Sequence, residues 1–211
     1  MTKQSQIYLD FGTGMHRKGL TLSDIKMDAL KKRCLIGFHA FTGNDYVSSF
    51  FWKGKEACWK VADKNQKFVD SFIALGSTWN IAENTMGDLE EYVCLLYGCR
   101  HRNVNAVRKK LFDNKYLTQS KVMDISLLPL CRSSLRLHIL RANVVARIWI
   151  QADQPLIELP ELSQHGWDNT LEIQWIEKAF PDEIEELLVQ TDNELVIDDD
   201  EGSDEDSEVD D

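Results

Sequence analysis

Long apolar segments are missing from this sequence. No apolar run reaches the roughly 18 residues that cross a bilayer, and residues 1–6 lack the apolar core of a secretion signal. We therefore expect an intracellular protein, nuclear or cytoplasmic, with no membrane partner.

Cysteine pairs are missing as well. The five cysteines are an odd number, and no two of them have the Cys-x-x-Cys spacing that is typical of a zinc site. They are Cys34, Cys58, Cys94, Cys99 and Cys131. Reduced and mostly buried thiols fit this pattern best, as in the cytosol or the nucleus.

Basic residues are almost missing from the C-terminal part. Residues 151–211 contain one lysine and 22 Asp and Glu, a net charge of −21, whereas residues 1–150 contain 23 Lys and Arg against 13 Asp and Glu, a net charge of +10. The basic part predicts attraction to polyanions such as DNA, and no pattern indicates a small-molecule cofactor. The acidic part indicates a basic protein partner, a competitor for the nucleic-acid surface, or only a solubilising tail on a solvated protein.

Apolar periodicity predicts a mainly α-helical fold with a short N-terminal β-hairpin. The hairpin pairs residues 6–11 with a strand near Leu20 and Leu22, and Ser23 caps the first helix. Helices are predicted over residues 23–33, 35–41, 55–62, 65–75, 86–97, 103–116 and 134–151, the last one capped by Ser133 or Ser134. The long last helix should bury Leu135, Ile139, Ala142, Val145 and Trp149.

Three regions are expected. Residues 1–151 form the helical body, and residues 152–190 form an acidic extension with three of the four prolines, a strand at 171–175 and a short acidic helix at 182–190. Residues 191–211 form a disordered acidic tail, because a segment with 12 acids, no basic residue and few apolar residues cannot offset the entropy of folding.

Two sharp turns interrupt the apolar segment at residues 35–59. The first is Thr42-Gly43-Asn44-Asp45, in which Gly43 and Asn44 tolerate a left-handed backbone. The second, Lys53-Gly54-Lys55, is basic and follows Phe50, Phe51 and Trp52, which are candidates for stacking on unpaired bases or for the core. His39 lies in the apolar run and is expected to be a hydrogen-bonded core histidine.

Further basic residues extend this region. The candidates for a track of phosphate contacts, or alternatively for scattered solvated charge, are Lys31, Lys32, Arg33, Lys53, Lys55, Lys60, Arg100, Arg102, Arg108, Lys109 and Lys110.

The segment at 38–55 resembles a family of uncharacterised, mobile-element-like animal proteins. Those proteins usually read His-Ala-x-Thr-Gly-Cys-Asp, then Ser-x-Phe, then Gly-Lys-Gly-Lys; here Asn44 replaces the Cys and Trp52 replaces the first Gly of the last motif. The resemblance continues through the motifs at 91–97, 135–143, 165–167 and 171–175, and covers most of residues 6–176.

A more distant resemblance supplies chemistry. The Gly-x-Asp turn followed by a Gly-Lys-rich hairpin is similar to the helix-turn-helix segment of PIN-like, flap-endonuclease-type nucleases. By that resemblance Asp45 is the candidate metal ligand, with Mg²⁺ as the cofactor of an active enzyme, and Lys53, Gly54 and Lys55 are the candidates for phosphate contacts. Lys60, from the basic set above, is a further candidate for binding nucleic acid. Asp45 alternatively caps a helix that begins near Tyr46.

The resemblance implies a truncated α/β PIN-like domain. Several converging carboxylates are needed for two-metal hydrolysis, and Asp10 is the only acid before Asp24. We therefore expect a nuclease relic without cleavage activity of its own that binds nucleic acid through the basic hairpin. The alternatives are an active Mg²⁺-dependent nuclease completed by another chain, and a non-enzymatic interaction protein that uses its acidic tail.

Overall fold

Six α-helices form the framework of the computed structural model, which describes residues 6–116 and 125–174. These residues all belong to one unit, Met1–Trp175. The helices are α1 (Ala29–Phe41), α2 (Lys55–Ala62), α3 (Gln66–Ala74), α4 (Glu83–Leu96), α5 (Val104–Tyr116) and α6 (Arg132–Ile150). The predicted mainly helical class is thereby confirmed, and no helix in the described ranges is long and apolar enough to cross a membrane.

The predicted N-terminal hairpin is also confirmed. Strands β1 (Tyr8–Phe11) and β2 (Lys18–Thr21) pair antiparallel, with Leu9 opposite Leu20. Both strands remain exposed, and the ring of Phe11 keeps 52% of its accessible surface.

The start of α1 differs from the prediction. Leu22–Asp24 forms a 3-10 turn, so no helix begins after Ser23. Asp28 caps the helix instead, since its carboxylate accepts hydrogen bonds from the amides of Leu30 and Lys31. The two helices predicted at 23–33 and 35–41 are therefore wrong, because a single helix runs through the basic triplet at 31–33 to Phe41.

The other helices are confirmed with small shifts of their ends. Gly76 and Gly98 have φ angles of +78° and +79° just beyond α3 and α4, as expected of glycines that terminate helices. Neither Ser133 nor Ser134 caps α6, which begins at Arg132 after Cys131. The predicted strand at 171–175 is a turn over its described residues, 171–174. It keeps a single antiparallel β-bridge, between Trp167 and Ile173.

Several predictions fall outside the described residues. They include Trp175 at the end of the predicted strand, the acidic helix at 182–190 and the disordered tail at 191–211.

The core joins α1, α3, α4 and α6. Aromatic rings meet edge to face at its centre, where the ring centroids of Phe38 and Phe72 lie 5.4 Å apart and those of Phe72 and Tyr92 lie 5.1 Å apart. From α6, Leu135, Ile139, Ala142 and Val145 are buried as predicted. Trp149 is only half-buried. Three cysteines, Cys34, Cys58 and Cys94, are buried, and no disulfide forms among the described residues.

Candidate nucleic-acid interface

The loop between α1 and α2 carries most of the residues singled out by sequence. It spans residues 42–54 and folds back on the end of α1. The Thr42 hydroxyl donates to the Phe38 carbonyl at 2.7 Å, and the side-chain amide of Asn44 donates to the Ala40 carbonyl at 3.0 Å. Gly43 is required at its position, because its φ is +109° and a Cβ there would lie 2.6 Å from Ser49 Cβ.

Asp45 lies exposed in the first turn of this loop. No helix begins at Tyr46, so the predicted helix cap at Asp45 is wrong. Asn44 stabilises the turn instead, because its side-chain oxygen accepts a hydrogen bond from the Tyr46 amide at 2.9 Å.

The described residues do not fit a magnesium site at Asp45. Nowhere in residues 6–116 and 125–174 do three or more His, Cys, Asp or Glu side chains form a group that could hold a metal ion. Mg²⁺ prefers an octahedron of oxygen ligands, and a single carboxylate supplies too few of them.

Lys55, at the first position of α2, closes the loop onto α1. Its ammonium group donates to the Gly43 carbonyl at 2.6 Å and to the Thr42 hydroxyl at 3.1 Å. Partial desolvation lowers the Lys55 pKa. The side chain thus holds the C-terminal end of α1 in place while keeping its charge beside the loop.

Lys53 and Lys60 have different surroundings. The Lys53 ammonium lies 4.9 Å from the centre of the Tyr97 ring, a cation–π contact, and it forms no ion pair with a carboxylate in residues 6–116 or 125–174. Lys60 forms an ion pair with Glu56 at 2.7 Å on the exposed face of α2. The lysine predicted to extend the phosphate site is therefore neutralised by its neighbour.

The backbone at Gly54 is open to approach. A Cβ built on Gly54 would meet no atom within 4 Å, and this residue caps α2 without a side-chain hydrogen bond. The first amides of α2 follow Gly54 in the chain and, as at any helix start, have no carbonyl partner within the helix.

The three aromatic residues of the loop are divided between core and surface. Phe50 is buried with 4% of its surface exposed, whereas Phe51 and Trp52 are exposed by 44% and 81%. Trp52 has a left-handed backbone with φ of +56°. That angle gives a physical reason for the glycine which the resembled family carries here.

A shallow pocket of about 420 Å³ joins these features. Its walls are Thr42, Gly43, Ser49, Phe50, Trp52, Lys53, Gly54 and Lys55. The pocket thus combines two lysines, an open backbone and an exposed indole.

Most other basic candidates form local contacts. Lys31 pairs with Asp63, Arg102 with Glu91 and Lys109 with Asp113, while Arg108 donates to the Pro129 carbonyl. Exposed pairs of this kind reduce the charge available to a polyanion. Lys53 and Lys55 are therefore the part of the predicted track that stays concentrated in one place.

The core histidine is His138 and not, as was predicted, His39. His39 is exposed rather than in the core, and its ring stacks on Trp149 with the ring centroids 5.3 Å apart. Burial and the Lys55 charge lower the His39 pKa, while the Asp45 charge raises it. His138 is the core histidine, fully buried, with its Nε2–H donating to the Phe41 carbonyl at 2.8 Å.

Sequence reasoning missed His138 and Asn143. The Asn143 side chain accepts from the Gly76 amide at 2.8 Å and donates to the Thr78 and Trp79 carbonyls. Both residues lie on the predicted long helix, and their spacing from Leu135, Ile139 and Ala142 is the signal that places them on or beside its buried face.

Comparisons of the chain with protein-family models, with curated proteins and with solved structures give no match. The resemblances drawn from residues 38–55 therefore remain predictions.

Proposed function

We propose that this protein binds nucleic acid through the α1–α2 loop and does not cleave it. The observation that carries the proposal is the pocket at residues 42–55, where Lys53 and Lys55 lie beside the open backbone of Gly54 and neither forms an ion pair with a described carboxylate. The distant PIN-like resemblance supports the same assignment, because it places the phosphate contacts at this turn.

Local charge is what makes the assignment physically reasonable. The whole chain has a formal net charge of −11, so its net long-range interaction with a polyanion is repulsive and binding depends on close contacts. The Lys55 ammonium already donates within the loop, so it would attract a phosphate group by its charge, whereas Lys53 and the first amides of the helix are the candidate donors.

We expect no cleavage because too few carboxylates converge at Asp45 in the described residues. Hydrolysis by two metal ions needs several acids that converge on ions about 4 Å apart. Asp45 belongs to no such group in the part of the chain that the structure describes.

The test is an anisotropy titration of the full chain with short labelled oligonucleotides between about 50 and 200 mM salt. Lys53→Gln should weaken binding and reduce the slope of log K against log salt by about 1. Lys18→Gln removes the same charge from the exposed strand β2, outside the predicted track, and is the matched control, for which a much smaller change is expected. Lys55 is a poor choice for this comparison, because its side chain also holds the loop.

The same oligonucleotides should stay intact during incubation with Mg²⁺. Absence of salt-dependent binding, or an equal effect of the two substitutions, contradicts the proposed site. Cleavage that is abolished by Asp45→Ala would show that the nuclease activity is retained.

A further inference from the structure

Trp52 is the most exposed large aromatic residue of the α1–α2 loop. It keeps 81% of its surface accessible, so its indole gains little from burial in the folded chain. Its backbone is left-handed with φ of +56°, a conformation that side chains with a Cβ rarely adopt. Strained residues of this kind concentrate at functional sites.

The surrounding loop holds the indole outward in a defined place. The Lys53 amide donates to the Phe50 carbonyl at 2.9 Å and closes a tight turn across Trp52. Phe50 anchors that turn in the core, with its ring centroid 5.3 Å from that of Phe41 and 5.0 Å from that of His138. Phe51 meets the indole edge to face, with 5.9 Å between ring centroids.

We infer that Trp52 is a stacking platform for an unpaired base, so that the ligand class is single-stranded nucleic acid. This inference rests on the proposed function, since the same loop supplies the phosphate contacts through Lys53 and Lys55. The indole and the two lysines line one pocket, which lets a single nucleotide place its base on Trp52 and its phosphate near the lysines.

A duplex does not expose a base face on which Trp52 could stack. In a double helix each base is covered above and below by its neighbours, and exposing one requires unstacking. Single strands offer their base faces freely, and every base can stack on an aromatic ring. The platform therefore favours single strands over duplexes, with little dependence on sequence.

Two substitutions of Trp52 separate stacking from folding. Trp52→Gly suits the left-handed backbone and removes the ring, so the loop should fold at least as well as before. Trp52→Tyr keeps an aromatic face. Each full-length variant is titrated with a single-stranded oligonucleotide and with the duplex of the same sequence, and urea unfolding checks its stability.

We expect Trp52→Gly to bind the single strand about tenfold more weakly, while Trp52→Tyr stays within about threefold of the unchanged protein. Duplex binding should change by less than about twofold, since it uses the lysines alone. Lys18→Gln serves again as the control outside the predicted track.

The outcomes distinguish this inference from the proposed function. Salt-dependent binding that Trp52→Gly does not weaken, or weakens equally for both ligands, overturns the stacking role and leaves nucleic-acid binding in place. No binding of either ligand by the unchanged protein overturns both. If the indole instead serves a protein partner or a membrane surface, either Trp52→Gly would not weaken binding of the single strand selectively, or the unchanged protein would bind neither ligand.

Discussion

The ionisation of the buried His138 is strongly altered by the fold. Burial, opposed by the hydrogen bond to Phe41 and reinforced by the Arg141 charge, lowers the pKa of His138 from 6.5 to about 4. The neutral ring fits its surroundings, because the Phe41 carbonyl accepts the Nε2 proton and the Ser48 hydroxyl lies 3.4 Å from Nδ1. Protonation would place a positive charge in the aromatic core.

Stability should therefore fall in acid. Since the folded pKa is below the unfolded value, the contribution of His138 is fully present above pH 6.5 and is lost as the pH falls towards 4. The expected loss at the folded pKa is about 3 kcal/mol. Urea unfolding across this pH range measures it.

His138→Gln is the control for this prediction. The amide keeps a donor for the Phe41 carbonyl but does not titrate, so the variant should have a flatter pH dependence although it is less stable at neutral pH. His39 and His165, whose pKa values are also lowered by burial, contribute equally to both proteins. Identical slopes for the two proteins would show that His138 does not titrate in this range.

At the scale of elements, the contact between α1 and α3 depends on one glycine. A Cβ on Gly37 would lie 2.1 Å from the Phe72 carbonyl oxygen and 2.9 Å from Leu75 Cβ. The two helix backbones consequently approach more closely than any side chain at position 37 would allow. This close approach brings the end of α1, and with it the α1–α2 loop, into its place.

Gly37→Ala should destabilise the protein by about 3 kcal/mol, at the upper end of what overpacking a core usually costs. Gly87 in α4 provides the matched control, because a Cβ there meets no atom within 4 Å. Gly87→Ala should stabilise the protein by about 0.5–1 kcal/mol through helix propensity. Both are measured by urea unfolding, and equal effects of the two substitutions would refute the close contact.

These two glycines also show how far the sequence predicts the fold. Both lie inside helices, and no local pattern distinguishes the one that touches another backbone from the one that faces solvent. The amphipathic stripes of α3, α4 and α6 are predictable because burial imposes a period on the sequence. The start of α1 was not, because Ser23 and Asp28 are both suitable caps and only the folded chain selects Asp28.

The α1–α2 loop is likewise only partly predictable from the sequence. Gly43 predicts a turn, and the sequence also gives the basic character of residues 53–55. The contacts of Lys55 and Lys53 were not predictable, because tertiary structure brings them to the Gly43 carbonyl and the Tyr97 ring. Lys60 meets the Glu56 carboxylate through helical spacing. The sequence predicted only that at least one of the three consecutive aromatic residues is exposed, and not that Trp52 is the most exposed of them.

At the scale of the whole molecule, the charge of the chain opposes its proposed ligand. Residues 151–211 carry a net charge of −21, while the rest carries +10. Added salt screens repulsion by the acidic residues as well as attraction by the lysines, so affinity alone reports the sum of the two. The position of the bound nucleic acid is therefore a sharper criterion than its affinity.

The most direct test is photo-crosslinking of the full chain to a single-stranded oligonucleotide that carries 5-iodouracil, followed by mass spectrometry of the peptides. The account predicts crosslinks in residues 46–55, centred on Phe51 and Trp52, and their loss in Trp52→Gly. Crosslinks confined to other parts of the chain, or none above the level of an unmodified oligonucleotide, would contradict nucleic-acid binding at this loop.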